Sequence, residues 1–121
     1  MVRYPMNTTE LLVDVFRFVH FVGLAALLGG LLVQIGSTAR NVNAAVLWGA
    51  VIQLVSGLVL LALTIADANH LKVTVKLILL LVVLVIVLVA RRRSPVNALS
   101  TPAWITALAL TVVNVALAVF W

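Results

Sequence analysis

The sequence predicts an all-α membrane protein, with four transmembrane helices in an antiparallel up-down-up-down bundle. Three observations lead there. Apolar residues make up 65% of the 121 positions and charged residues 9%, against roughly 45–50% and 25% in a soluble domain. A chain so poor in polar groups cannot cover its own surface in water. The apolar residues fall into four long runs, near residues 11–35, 44–66, 72–90 and 102–121, each matching the roughly 17–25 residues needed to cross the hydrocarbon. The connections between them are short, which makes successive helices antiparallel neighbours. The runs are too continuous for barrel strands, which alternate over about 10 residues, and backbone groups in lipid must pair within their own segment, so the spans are helices.

Each span carries its own signals. Asn7 followed by Glu10 resembles a capping box at the start of the first. That run exceeds the roughly 7–15 residues of a signal-peptide core and is read as a retained span. Asn43 is the expected N-cap of the second helix. The third is unbroken Leu, Ile, Val and Ala from Leu77 to Ala90, apolar all round, and so suits lipid or a second apolar helix. The fourth opens on Thr101 as N-cap with Pro102 at the first helical position. The spans occupy nearly the whole chain, which reads as one transmembrane domain over residues 1–121 with no soluble catalytic part.

Charge placement predicts orientation. Arg40 and the Arg91–Arg93 triplet belong to one side of the membrane, with no acid beside them. The other side holds the termini, Arg3 and Lys72, while Arg17 and Lys76 lie a turn or more inside their helices. Counting loop charges only, the Arg91–Arg93 loop is expected on the cytoplasmic face and both termini outside. The expected location is a bacterial cytoplasmic (inner) membrane. The basic groups read as membrane anchors, so no nucleic-acid partner is expected. Trp48 and Trp104 at one interface and Trp121 at the other suggest an aromatic belt.

Ionisable side chains within spans are the first candidates for function. Asp14, Arg17 and His20 lie on the first helix, Lys72 and Lys76 on the third, and His70 just ahead of it. The first and third helices enter from the same side, so Asp14 and Lys76, each about one turn in, can meet. Arg17 follows Asp14 at the i,i+3 spacing of a helical pair. This cluster reads either as a partly buried site for an anion, a lipid head group or a quinone-like ring, or as interfacial anchoring by snorkelling cations. His20, Gly23, Leu27, Gly30 and Gln34 fall on one helical stripe, where the glycines permit close helix approach and the polar pair can bond a neighbour. Gln34 and Gln53 are placed to face each other across the first hairpin. Asn114 is an interhelical hydrogen-bonding candidate.

No catalytic residue is assigned: there is no nucleophile–base pair, phosphate loop or acidic pair. No cofactor and no metal are called for either. With no cysteine and two histidines at unequal depth, the chain lacks a bis-histidine haem site of its own and a zinc ligand set. A haem ligand shared with a second protein stays open.

Several phrases together carry a resemblance. They are Phe18-Val-His20-Phe-Val-Gly23 with Gly29-Gly30, Asn43-Ala-Ala-Val-Leu-Trp48-Gly49-Ala with Gln53-Leu-Val-Ser-Gly57, and Asn69-His70 followed by Lys72 and Lys76. In these the chain resembles, over nearly its whole length, small four-span membrane proteins of high-GC Gram-positive bacteria. It is more weakly similar to the membrane core of copper-resistance D-type proteins, which pair an early histidine with a Gly-rich first helix. The sequence departs from a copper carrier in its two methionines, Met1 and Met6, and two histidines. The resemblance implies a fold and a host group, not a reaction. The leading expectation is a non-enzymatic accessory or structural subunit of a larger membrane assembly, or a homo-oligomer. Alternatives are a binding or transport module for a small ligand, lipid head group or proton, and an electron-carrier subunit.

Overall fold

The computed structural model of the chain describes residues 7–37, 39–64, 70–93 and 98–120. Among them stand four α-helices: α1 (Thr8–Leu32), α2 (Ala44–Thr64), α3 (His70–Arg93) and α4 (Thr101–Phe120). Each is long and apolar enough to cross a membrane. Two short strands, β1 (Arg40–Asn41) and β2 (Ala98–Leu99), pair antiparallel with Arg40 opposite Leu99 and Asn41 opposite Ala98. This ribbon ties the α1–α2 connection to the α3–α4 connection at one end of the molecule.

The helix boundaries follow from local chemistry. Asn7 Oδ1 accepts from the Glu10 backbone N–H at 2.7 Å, and Asn43 Oδ1 accepts from Val46 N–H at 2.9 Å, as expected of N-caps. The start of α4 corrects the sequence expectation. Ser100 Oγ accepts from the Ala103 N–H at 3.3 Å, so Ser100 is the cap and Thr101 is already helical. At the C-terminal end of α3, Arg91–Arg93 are its last turn rather than a loop. Arginine is a good helix former, and cations are favoured against the negative end of the helix dipole.

α1 also stops sooner than its apolar run suggests. After Leu32 the backbone tightens into i→i+3 bonds, Gln34 N–H to Leu31 O and Ile35 N–H to Leu32 O, a common way to close a helix end. Gln34 therefore lies beyond the helix, and the expected Gln34–Gln53 contact does not form. Its amide instead behaves like one more peptide unit: Oε1 accepts from Asn41 N–H at 2.7 Å, and Nε2 donates to Asn41 O at 3.0 Å and Gly30 O at 2.8 Å. Asn43 Nδ2 reaches the same Gly30 carbonyl at 3.2 Å.

α1 and α2 pack through small residues. A Cβ on Gly23 would stand 2.8 Å from Ile52 Cγ2, one on Gly30 2.8 Å from Val46 Cγ2, and one on Gly49 2.9 Å from Leu27 Cα. Positions rise along α1 as they fall along α2, so this pair runs antiparallel. The buried core, with Leu27, Leu31, Val46, Ala50, Val83, Val87, Leu99, Trp104 and Ala107, lies toward the ribbon end.

Trp104 belongs to that core, not to an interfacial belt. Its Nε1–H donates to Leu31 O at 2.9 Å, and the Arg40 guanidinium sits 4.2 Å over its ring. Arg40 also donates to the Gln34 and Ile35 carbonyls and to Thr101 Oγ1, each at 3.2 Å. These carbonyls lie just past the end of α1, where the helical ladder has stopped and Gln34 O takes the Ser37 N–H at 3.0 Å as its backbone donor. Trp48 is exposed, as a belt residue would be, and Trp121 lies outside the described residues. Large apolar side chains face outward along every helix, among them Phe18, Phe21, Val55, Val85 and Val119. Patches on this scale mark a surface made for something other than water.

Candidate functional site

Away from the ribbon the four helices splay around a cavity of about 300 Å³. From α1 it takes Arg17, His20, Phe21 and Leu24; from α2, Gln53 and Leu60. From α3 come Lys76, Leu77 and Leu80, and from α4 Asn114, Val115 and Ala118. Its size is at the lower end of small-molecule sites. The walls are mostly apolar, with a few polar groups converging from different helices.

Two histidine contacts set its inner wall. His20 Nδ1 is 2.8 Å from Ser56 Oγ, and His20 Nε2 is 3.1 Å from Gln53 Nε2. The roles follow from the chemistry of the partners. The Ser56 hydroxyl already donates to Ile52 O at 2.6 Å, so its oxygen is an acceptor toward the ring. The Gln53 NH₂ is only a donor. With the amide NH₂ toward the ring, this pattern suits a neutral imidazole with its proton on Nδ1 and the Nε2 lone pair accepting from Gln53. Gly57 leaves room for the imidazole: a Cβ there would be 3.3 Å from His20 Cε1. One polar atom stays unmatched, because Gln53 Oε1 is buried and has no hydrogen-bond partner among the described residues.

Two cations complete the lining, Arg17 from the same helix as His20 and Lys76 from α3. Arg17 is exposed toward the open side and Lys76 is partly buried. Asn114 Nδ2 makes a long 3.5 Å contact to the Lys76 backbone carbonyl, linking α4 to α3. Among the described residues, those lining the cavity include no Asp or Glu.

The chain matches no family model, no curated protein and no solved structure. The site is therefore read from its own residues.

Of the residues singled out in the sequence, Arg17, His20, Lys76, Gln53 and Asn114 converge on one cavity. Asp14, Lys72 and His70 do not line it. Asp14 lies one turn before Arg17 and Lys72 one turn before Lys76, and neither is without a partner. His70 is the exposed first residue of α3. Gly23 and Gly30 serve the α1–α2 contact, and Gln34 closes the ribbon end. Among the described residues no three of His, Cys, Asp and Glu are grouped as a metal site requires.

Ser56 and Gly49 escaped the sequence reading. Gln53, Ser56 and Gly57 follow one another at i, i+3, i+4 on α2, and that spacing was the available signal. Gly49 shows no such pattern by itself. Its role depends on where Leu27 lands.

Proposed function

We propose that the protein is a multi-pass membrane protein whose helices form an up-down-up-down bundle and bind the anionic head of an amphiphile between them. The observation that carries this is the cavity itself: Arg17 and Lys76 come from different helices onto one apolar-walled space whose lining residues, among those described, include no acid. Two cations held in a low-dielectric setting without a lining carboxylate favour an anion there. Arginine can bind a carboxylate, phosphate or sulfate with two parallel hydrogen bonds, and lysine adds a point charge. Phe21, Leu24 and Leu80 suit the first carbons of an attached chain.

The bundle topology is supported by the antiparallel α1–α2 contact and by the ribbon joining the two connections at one end. The ribbon end, next to the Arg91–Arg93 turn, is proposed to face the cytoplasm and both termini the outside, by the positive-inside rule. A bacterial inner membrane is the proposed location, in keeping with the resemblance to small four-span proteins of high-GC Gram-positive bacteria.

Binding is tested by titrating purified protein in zwitterionic nanodiscs. Decyl sulfate and decanoate should bind, and decyltrimethylammonium should not. A further arm with phosphatidylglycerol in the disc separates a free single-chain anion from a bilayer phospholipid: competition by the phospholipid assigns the site to a head group. Arg17→Ala and Lys76→Ala should each weaken decyl sulfate binding by about tenfold, the effect of losing roughly 1.4 kcal/mol. Equal binding of the cationic and anionic chains would sink the reading.

A second reading, an accessory subunit or homo-oligomer, is favoured by α3. Its outward face exposes Ile78, Leu81, Val82, Val85 and Leu88 without a polar stripe. Gentle solubilisation followed by particle sizing tests it, and a monomer without a co-purifying chain counts against it.

A further inference from the structure

We infer that anion binding in this cavity is coupled to protonation of His20, so that the site takes up one proton with each anion. The inference rests on the anion-binding reading and adds its regulation.

The polar wall around His20 holds one unmatched atom. In the neutral-ring arrangement Gln53 donates to His20 Nε2 and leaves its own Oε1 buried without a partner among the described residues. A buried acceptor left unmade costs roughly 1–3 kcal/mol. A protonated His20 reverses the roles in this contact. Its Nε2 becomes a donor, and turning the Gln53 amide over presents Oε1 to receive it, because the amide's oxygen and nitrogen occupy nearly the same space. The Nδ1–H bond to Ser56 is unchanged, since that nitrogen donates in both states. The polar wall can thus hydrogen-bond the ring in either charge state, while the buried position of the Gln53 amide that faces away from His20 is unmatched in both.

The charged groups that share the cavity with the ring are cations. Arg17 on α1 and Lys76 on α3 share the cavity with His20. The groups facing it from α2 and α4 are Gln53, Ser56 and Asn114, none of them charged. Asp14 and Lys72 sit one turn earlier on their helices. A third positive charge beside two others is repelled. An anion between Arg17 and Lys76 offsets one of the two positive charges and weakens the repulsion at the ring, so that a proton drawn from water binds Nε2 more readily. By linkage the anion favours the proton as much as the proton favours the anion.

The test uses the full chain in zwitterionic nanodiscs and decyl sulfate, whose charge does not change over the range of about pH 5–8 in which histidine titrates. Wild type should bind about tenfold tighter at the acid end, within the usual range of coupling between two sites. In weak buffer it should take up close to one proton per chain bound. His70→Gln should behave as wild type, and His20→Gln should bind without pH dependence or proton uptake. A second readout does not depend on that variant folding. In the His70→Gln protein, ¹⁵N spectra of His20 should show a neutral ring protonated on Nδ1 without decyl sulfate and a ring protonated on both nitrogens with it. Binding that leaves the ring neutral and takes up no proton overturns the coupling and spares the anion site. No binding of decyl sulfate at either pH overturns the anion site, and the coupling with it.

Discussion

Gly49 of α2 lies directly on the backbone of Leu27 in α1: a Cβ there would stand 2.9 Å from the Leu27 Cα. The obstacle is main chain, not the flexible end of a side chain. Gly49→Ala is therefore expected to force the helices apart and destabilise the bundle by about 1–3 kcal/mol, the range for overpacking. Gly29→Ala is the control, because nothing lies within 4 Å of its Cβ position. It should be neutral or stabilising by up to about 1 kcal/mol through helix propensity. Unfolding in mixed micelles, followed by circular dichroism, compares the two.

Trp104→Phe keeps the ring but removes the N–H that Leu31 O receives in the core. Leu31 O keeps the Gln34 N–H at 3.3 Å, so the expected cost is that of one hydrogen bond, about 0.5–1.5 kcal/mol. Arg40→Met tests the other half of the same clamp, since it removes the guanidinium donor from the Gln34 and Ile35 carbonyls together. If the two substitutions act on one unit, their effects in the double variant will fall short of the sum.

Gln34→Leu is isosteric in length but breaks three hydrogen bonds at the close of the first hairpin. Faster amide exchange at Asn41 is the expected outcome, with Asn114 and its neighbours unaffected. Uniform exchange across both ends would mean that the hairpin closure is not a local feature.

Gly57→Val places a branched side chain against His20, where even a Cβ would be 3.3 Å from Cε1. The ring should be pushed toward the cavity, with decyl sulfate binding weakened by about tenfold and the helical signal retained. Unaltered binding in a folded variant would show that the histidine wall does not bound the ligand.

Arg17→Lys keeps the charge and loses the planar fork. For an oxyanion the expected result is binding intermediate between wild type and Arg17→Ala. Titration of decyl sulfate into the three proteins gives the order.

How much of this could be read beforehand differs by residue. The caps at Asn7 and Asn43 were legible because each acts within three residues of itself. So was the stripe of His20, Gly23, Leu27 and Gly30, which helical periodicity alone puts on one face. The convergence of Arg17, His20 and Lys76 needed only the depth of each residue and a shared end. Gln34 was misplaced because the apolar run continues past the point where α1 closes. Trp104 looked interfacial from its position near a helix end, and its burial depends on Arg40 and Leu31, far away in the chain.

The sequence by itself determined the four apolar helices, the ends at which cations gather and the face of α1 that packs. Those properties are set by local composition and by a fixed rotation per residue. Only the tertiary structure decided that Gln53 meets His20 instead of Gln34, that Ser56 orients the imidazole, and that Gly49 admits the Leu27 backbone. Those pairings turn on the rotation and sliding of one helix against another. Apolar surface gives little guidance there, because a lipid-facing helix gains nearly the same contacts at many registers, and it takes small residues and specific hydrogen bonds to select one.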